Sequence, residues 1–174
     1  MTDLNLLKGK RILVVDDEPD ILETLIDLLD MCIVETAQEF ATAEKSLQKG
    51  NYDAAILDIM GVDGYKLLKI ATEKGIPAVM LTAHALSPTY LVKSIKEGAH
   101  AYLPKDKMVD IADFLADLIQ SRQKGVKRSG AWFEKLKPFF DEKFGTGWRE
   151  KDKEFWKDFD KTFVPSREDL RQLL

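Results

Sequence analysis

Ile12-Leu13-Val14-Val15-Asp16-Asp17-Glu18-Pro19 sets four apolar residues directly before three acids and a proline. Proline is favoured in the first turn of a helix, and the nearly all-apolar run at residues 54–58 suits a strand covered on both faces. A strand that ends in carboxylates and passes at once into a helix opens a βαβ unit. Three more short apolar runs end in a functional side chain: residues 54–57 lead to Asp58, 78–81 to Thr82, and Tyr102-Leu103-Pro104 to Lys105. Asp17 and Asp58 are 41 residues apart, Asp58 and Thr82 are 24 apart, and Thr82 and Lys105 are 23 apart. Each of the two later intervals accommodates one helix and one strand. In an open parallel sheet the carboxyl ends of the strands converge on one rim, where ligands bind.

The same alternation runs from residue 10 to about residue 123. Strands are expected near residues 11–16, 33–36, 54–58, 78–82 and 101–103. Helices are expected from Pro19, over 40–48, from Asp63-Gly64 to Gly75, over 87–97 and over 107–123. The first of these would bury Ile21, Leu22, Leu25, Ile26, Leu28 and Leu29, and the last Ile111, Phe114, Leu115, Leu118 and Ile119. The expected class is α/β, a doubly wound five-stranded parallel sheet with helices on both faces and a C-terminal helical extension.

Three acids, a hydroxyl and a lysine on one rim suit metal-assisted phosphoryl chemistry. A carboxylate accepts a phosphoryl group in line, and the transfer depends on neutralising the phosphoryl oxygens. Clustered acids without histidine or thiol favour Mg²⁺ over zinc. Asp16, Asp17 and Asp58 repel one another, so a cation is needed to keep all three ionised.

With these residues placed, the chain resembles the receiver domain of two-component response regulators over about residues 9–123. Val14-Val15-Asp16-Asp17-Glu18-Pro19 is similar to that family's acidic opening and Leu57-Asp58 to its phosphoacceptor strand. Leu81-Thr82-Ala83 and Ala101-Tyr102-Leu103-Pro104-Lys105 are similar to its hydroxyl and lysine strands. The resemblance implies a flavodoxin-like sheet of order 2-1-3-4-5 and a signalling phosphoacceptor rather than a turnover enzyme. It implies that Asp58 takes a phosphoryl group from a histidine kinase or phosphotransfer protein. Asp17 would bind Mg²⁺ directly, Asp16 through water, and the Met60 backbone carbonyl would add a ligand beside Asp58. Thr82 and Lys105 would hold phosphoryl oxygens, and Tyr102 would turn inward with Thr82 as a switch. One departure stands out. Asp58-Ile59-Met60-Gly61-Val62-Asp63-Gly64 reaches its Asp-Gly helix start two residues sooner than the family commonly does, without the usual proline.

The chain has 174 residues and a net charge of -4, which leaves no general nucleic-acid footprint. Residues 1–124 carry 14 Lys/Arg against 20 Asp/Glu, and residues 125–174 carry 12 against 10, so the acidic excess lies with the proposed cation site. Cys32 is the single cysteine, which excludes an internal disulfide and a thiol cluster; it reads as a small buried hydrophobe. His84 and His100 read as surface residues. No apolar run approaches the ~18 residues of a membrane span. The first run, four residues long, ends in aspartates, so no signal peptide is expected and the protein is expected to be cytoplasmic.

Composition changes after a polar, glycine-flanked stretch at 124–130, giving an expected division into residues 1–124 and 125–174. Ten aromatic residues from Trp132 to Phe163 recur at spacings of three, four and seven. They predict an amphipathic hairpin over about 131–163, joined at Gly145-Thr146-Gly147 and kinked or split at Pro138, then a short helix over about 166–174. Such a stripe must be buried on the receiver, a second copy or another protein. A homodimer or downstream-protein contact through residues 87–123 and the tail is the leading expectation. Nucleic-acid binding through the tail is disfavoured because acids alternate with its lysines. An Mg²⁺-dependent Asp-based phosphatase or hydrolase is the alternative of a different class; Met60 stands where such enzymes carry a second aspartate.

Overall fold

The computed structural model describes residues 3–125 and 130–161. Strands β1 (Arg11–Val15), β2 (Ile33–Ala37), β3 (Ala54–Asp58), β4 (Ala78–Thr82) and β5 (Ala101–Pro104) form one parallel sheet in the order β2-β1-β3-β4-β5. Every residue of β3 and β4 is buried, as central parallel strands covered on both faces require. Helices α1 (Pro19–Leu28) and α5 (Ile111–Gln123) contact each other, as do α2 (Phe40–Lys49) and α3 (Gly64–Glu73). α4 (Pro88–Lys96) packs on β5. Val15 pairs with Leu57, Asp58 with Leu81 and Thr82 with Pro104, so the register brings the expected strand ends to one rim.

Local sequence explains most boundaries. Pro19 opens α1, and Ser87 caps α4 by accepting the Tyr90 amide at 3.2 Å, with Pro88 in the first turn. Four expectations are corrected. Ile26 is 44% exposed, because the buried stripe of α1 is narrower than its apolar sequence. The first turns of the expected fifth helix form a 3-10 segment, Lys105–Asp110, before α5 begins. His100 is no surface residue: its side chain is 7% exposed and its ring nitrogen lies 3.3 Å from Asp117. α6 (Ala131–Phe144) runs unbroken through Pro138, which sits on its exposed side.

An N-terminal 3-10 turn, Leu4–Leu7, was not legible from periodicity. It packs on α5 with Leu7 fully buried. Leu7→Ala should therefore cost about 2–5 kcal/mol, the range for emptying a core leucine site. Urea unfolding monitored by circular dichroism checks this; a loss below about 1 kcal/mol would mean the turn is dispensable.

After α6, Gly145 and Gly147 adopt left-handed φ values of 85° and 75° and turn the chain. A 3-10 segment, Trp148–Asp152, and helical residues 153–161 follow, with the joint where the sequence placed it. Phe133 meets Trp156 and Phe159 at 5.1 and 5.0 Å between ring centroids, and Trp148 meets Trp156 edge-on at 5.2 Å. The Trp148 indole donates to Asp141 at 2.8 Å, and Arg149 pairs with Asp160 while lying over Trp156. This cluster is buried on the same chain. Phe140 meets Tyr102 of β5 at 5.9 Å, Lys135 lies 3.5 Å from Asp113, and Lys96 of α4 lies over Phe155. The expected helix over 166–174 and most of the expected linker lie outside the described residues.

Candidate functional site

Asp16 follows β1, Asp58 ends β3, Thr82 ends β4 and Lys105 follows β5, so the sheet delivers all four to its carboxyl rim. Asp16 and Thr82 are buried, Asp58 is 4% exposed and the Lys105 side chain 8%. The Lys105 ammonium lies 2.8 Å from Asp16 Oδ2 and 3.4 Å from both Asp58 Oδ1 and Glu18 Oε1. Asp16 Oδ1 accepts the Glu18 amide at 2.9 Å, which fixes the carboxylate at the start of the turn into α1.

Three acids, Asp16, Glu18 and Asp58, thus surround a single buried ammonium, and charge neutralisation is incomplete. Burial, then the neighbouring Asp16 charge, pushes the Asp58 carboxyl up to about 7, although Lys105 pulls it down. Burial also raises Asp16, against the pull of Lys105. Burial works against the Lys105 charge, but its hydrogen bond to Asp16 and the Asp58 charge outweigh that and hold it above the usual lysine range. Asp16, Asp17 and Glu18 each offer a carboxylate oxygen, all within 4.8 Å of one another. An all-oxygen, acid-rich pocket with too few internal cations fits Mg²⁺. Glu18 joins this group through its side chain, a role the spacing alone did not single out.

The shortened loop after Asp58 shapes the outer wall. It makes its passage through two left-handed residues, Gly61 at φ 86° and Asp63 at φ 58°. A Cβ on Gly61 would stand 2.7 Å from Asp17 Oδ2, so glycine there lets the loop close directly on the Asp17 carboxylate. At Gly64 a Cβ would overlap the Asp58 carbonyl oxygen, which explains the glycine opening α3. The Met60 side chain is exposed in this loop.

Thr82 and Tyr102 meet through the loop between β4 and α4. Thr82 Oγ1 accepts the Ala85 amide at 2.9 Å, and the Tyr102 hydroxyl donates to the Ala85 carbonyl at 2.5 Å while accepting the Ser87 amide at 3.1 Å. Tyr102 is fully buried, with its ring already turned in, and burial raises its phenol. His84 is exposed. Cys32 is half-buried beside the amino end of β2, and burial pushes its thiol up to about 11, which keeps it protonated and unreactive near neutrality.

The chain is similar to known proteins in sequence and in fold. Residues 12–116 match the model of the response regulator receiver domain. The two-component response regulator ARR10 of Arabidopsis thaliana is 37% identical over 109 residues, covering 59% of this chain and 20% of the relative. Two-component response regulator ORR24 of Oryza sativa is 39% identical over 104 residues, 56% of this chain and 16% of the relative. The chain thus spans a fifth or less of the length of these curated relatives. Among solved structures, a CheY-like receiver domain protein from Methanospirillum hungatei JF-1 superposes with a TM-score of 0.62 at 26% identity, covering 68% of this chain and 99% of that one. Among the described residues no helix is long and apolar enough to cross a membrane.

Proposed function

The chain belongs to the response regulator receiver family of two-component signal transduction, and from that premise we propose that Asp58 is its phosphoacceptor. The observation that carries the reading is the buried set of Asp58, Asp16 and Lys105 on one sheet rim, held within 3.4 Å of the ammonium. A carboxylate oxygen of Asp58 attacks the phosphorus of a phosphohistidine. The P–N bond breaks, its electron pair stays on the imidazole, and an acyl phosphate remains on Asp58. Lys105 pairs with one phosphoryl oxygen, and Thr82 donates its hydroxyl hydrogen to another. Asp16, Asp17 and Asp58 would hold Mg²⁺, with the Met60 carbonyl as a further ligand and Glu18 beside them. There the ion would supply neutralisation of the phosphoryl oxygens.

Residues 1–124 form the receiver in this reading and residues 125–174 the helical extension. The family match over 12–116 supports the first boundary. The donor is a sensor histidine kinase or a phosphotransfer protein, and the output is a protein contact governed by residues 87–123, Tyr102 and the tail. Met60, two positions after Asp58, offers no second carboxylate for hydrolysis, so the group is retained rather than turned over.

Acetyl phosphate with Mg²⁺ should add a single base-labile phosphoryl group, detected as a mass increment, and Asp58→Asn should abolish it. Labelling of the variant at the wild-type level would place the acceptor elsewhere.

A further inference from the structure

We propose that the aromatic tail is a positioning element of the phosphoryl site, acting from Phe140 through Tyr102 and Ala85 on Thr82. Because the effect is felt at that site, it rests on the phosphoacceptor reading above. The contacts form one unbroken chain. Phe140 is fully buried and packs on the Tyr102 ring at 5.9 Å. The Tyr102 hydroxyl grips the loop between β4 and α4 at two points, the Ala85 carbonyl and the Ser87 amide. Ala85 in turn gives its amide hydrogen to Thr82 Oγ1. With that oxygen occupied as an acceptor, the Thr82 hydroxyl hydrogen has to point elsewhere, and it is left to donate to a phosphoryl oxygen on Asp58.

Tyr102 has no exposed surface, so its ring cannot swing outward while Phe140 is seated. The ion pair beside it is a weaker anchor. Lys135 with Asp113 is a half-exposed pair of the kind that contributes little. The buried ring contact between Phe140 and Tyr102 therefore joins the tail's seat to the inward tyrosine. Sites that bias one two-state element are coupled reciprocally. A seated tail prepares Thr82 for the phosphoryl group, and a group on Asp58 strengthens the tail's seat.

The full chain is compared with Phe140→Ala, Phe140→Leu and Tyr102→Phe by two readouts: hydrogen exchange of the Ala85 amide without ligand, and calorimetric affinity for beryllofluoride with Mg²⁺. Phe140→Ala should speed Ala85 exchange and weaken beryllofluoride binding by roughly tenfold, within the usual range of coupling between sites. Phe140→Leu should restore most of both. Tyr102→Phe keeps the ring against Phe140 but removes the hydroxyl, so it should loosen Ala85 and weaken binding while leaving tail Trp fluorescence unchanged. Wild-type exchange and affinity in Phe140→Ala would overturn the coupling, and wild-type values in Tyr102→Phe alone would overturn the route through the hydroxyl. If the wild type bound no beryllofluoride, the phosphoacceptor reading would fall instead, and Ala85 exchange alone would decide whether the tail holds the loop.

Discussion

Asp58→Asn is expected to make the metal-free protein more stable at pH 8 while leaving its stability at pH 4 nearly unchanged. The Asp58 carboxyl is held up at about 7, by burial first and by Asp16 second, whereas in the unfolded chain it has an ordinary value. A carboxyl raised in the folded state binds its proton more tightly there. Its favourable contribution is complete below the unfolded value near 4 and disappears as pH rises through about 7. Three units at ~1.4 kcal/mol each set a ceiling of about 4 kcal/mol on the penalty the wild type carries at pH 8. Asparagine carries no such charge and keeps nearly the same shape.

At roughly 2–4 °C per kcal/mol, the variant should melt about 5–15 °C higher than the wild type at pH 8 in the presence of chelator. Saturating Mg²⁺ should narrow the gap, because a bound cation compensates the ionised cluster only where the carboxylate is present. Thermal melts of both proteins from pH 4 to pH 8, with chelator and with Mg²⁺, provide the test. A difference that stays constant across that range would mean Asp58 ionises as freely as an exposed carboxylate.

Gly61→Ala should impair the cation site without removing any ligand. Two effects combine. The backbone at φ 86° is unfavourable for an L side chain, at a cost of about 1–2 kcal/mol. The new Cβ would also stand 2.7–3.0 Å from the Asp17 carboxylate atoms, so that carboxylate has to turn away. Displacing a support of a metal ligand commonly weakens binding by roughly 10–100-fold. Gly9→Ala is the control, because Gly9 has a similar φ of 74° with nothing near its would-be Cβ. Both variants should melt at lower temperature, and only Gly61→Ala should lose Mg²⁺ affinity by calorimetry. Equal affinities in the two variants would refute a role for the shortened loop in holding Asp17.

Much of this architecture is written in local pattern. Apolar runs ending at Asp16, Asp58 and Thr82 are strands because buried parallel strands need unbroken apolar sequence, and the intervals from Asp58 to Thr82 and from Thr82 to Lys105 each leave room for one helix and one strand. Pro19, Ser87-Pro88 and Gly145-Thr146-Gly147 mark boundaries through rules of single-residue conformation, and those boundaries appear where expected. The aromatic spacing of the tail likewise determined helices with a face to bury.

Other features depend on which surfaces meet, and no local pattern carries that. Ile26 and Leu25 are equally apolar neighbours, yet only packing decided that Leu25 is buried and Ile26 exposed. Glu18 turns back to Lys105, 87 residues away, only because β1 and β5 end on the same rim. Gly61 lies so near Asp17 that a Cβ there would stand 2.7 Å from its carboxylate, an approach set by how the loop after β3 closes rather than by local sequence. His100, its side chain 7% exposed, meets Asp117 of α5 at 3.3 Å, a pairing of residues 17 apart that only the tertiary fold makes. The same holds for the tail: periodicity required its aromatic face to be covered, and tertiary packing chose Tyr102 and the edge of β5 as the cover, because those surfaces lie within reach of the chain leaving α5.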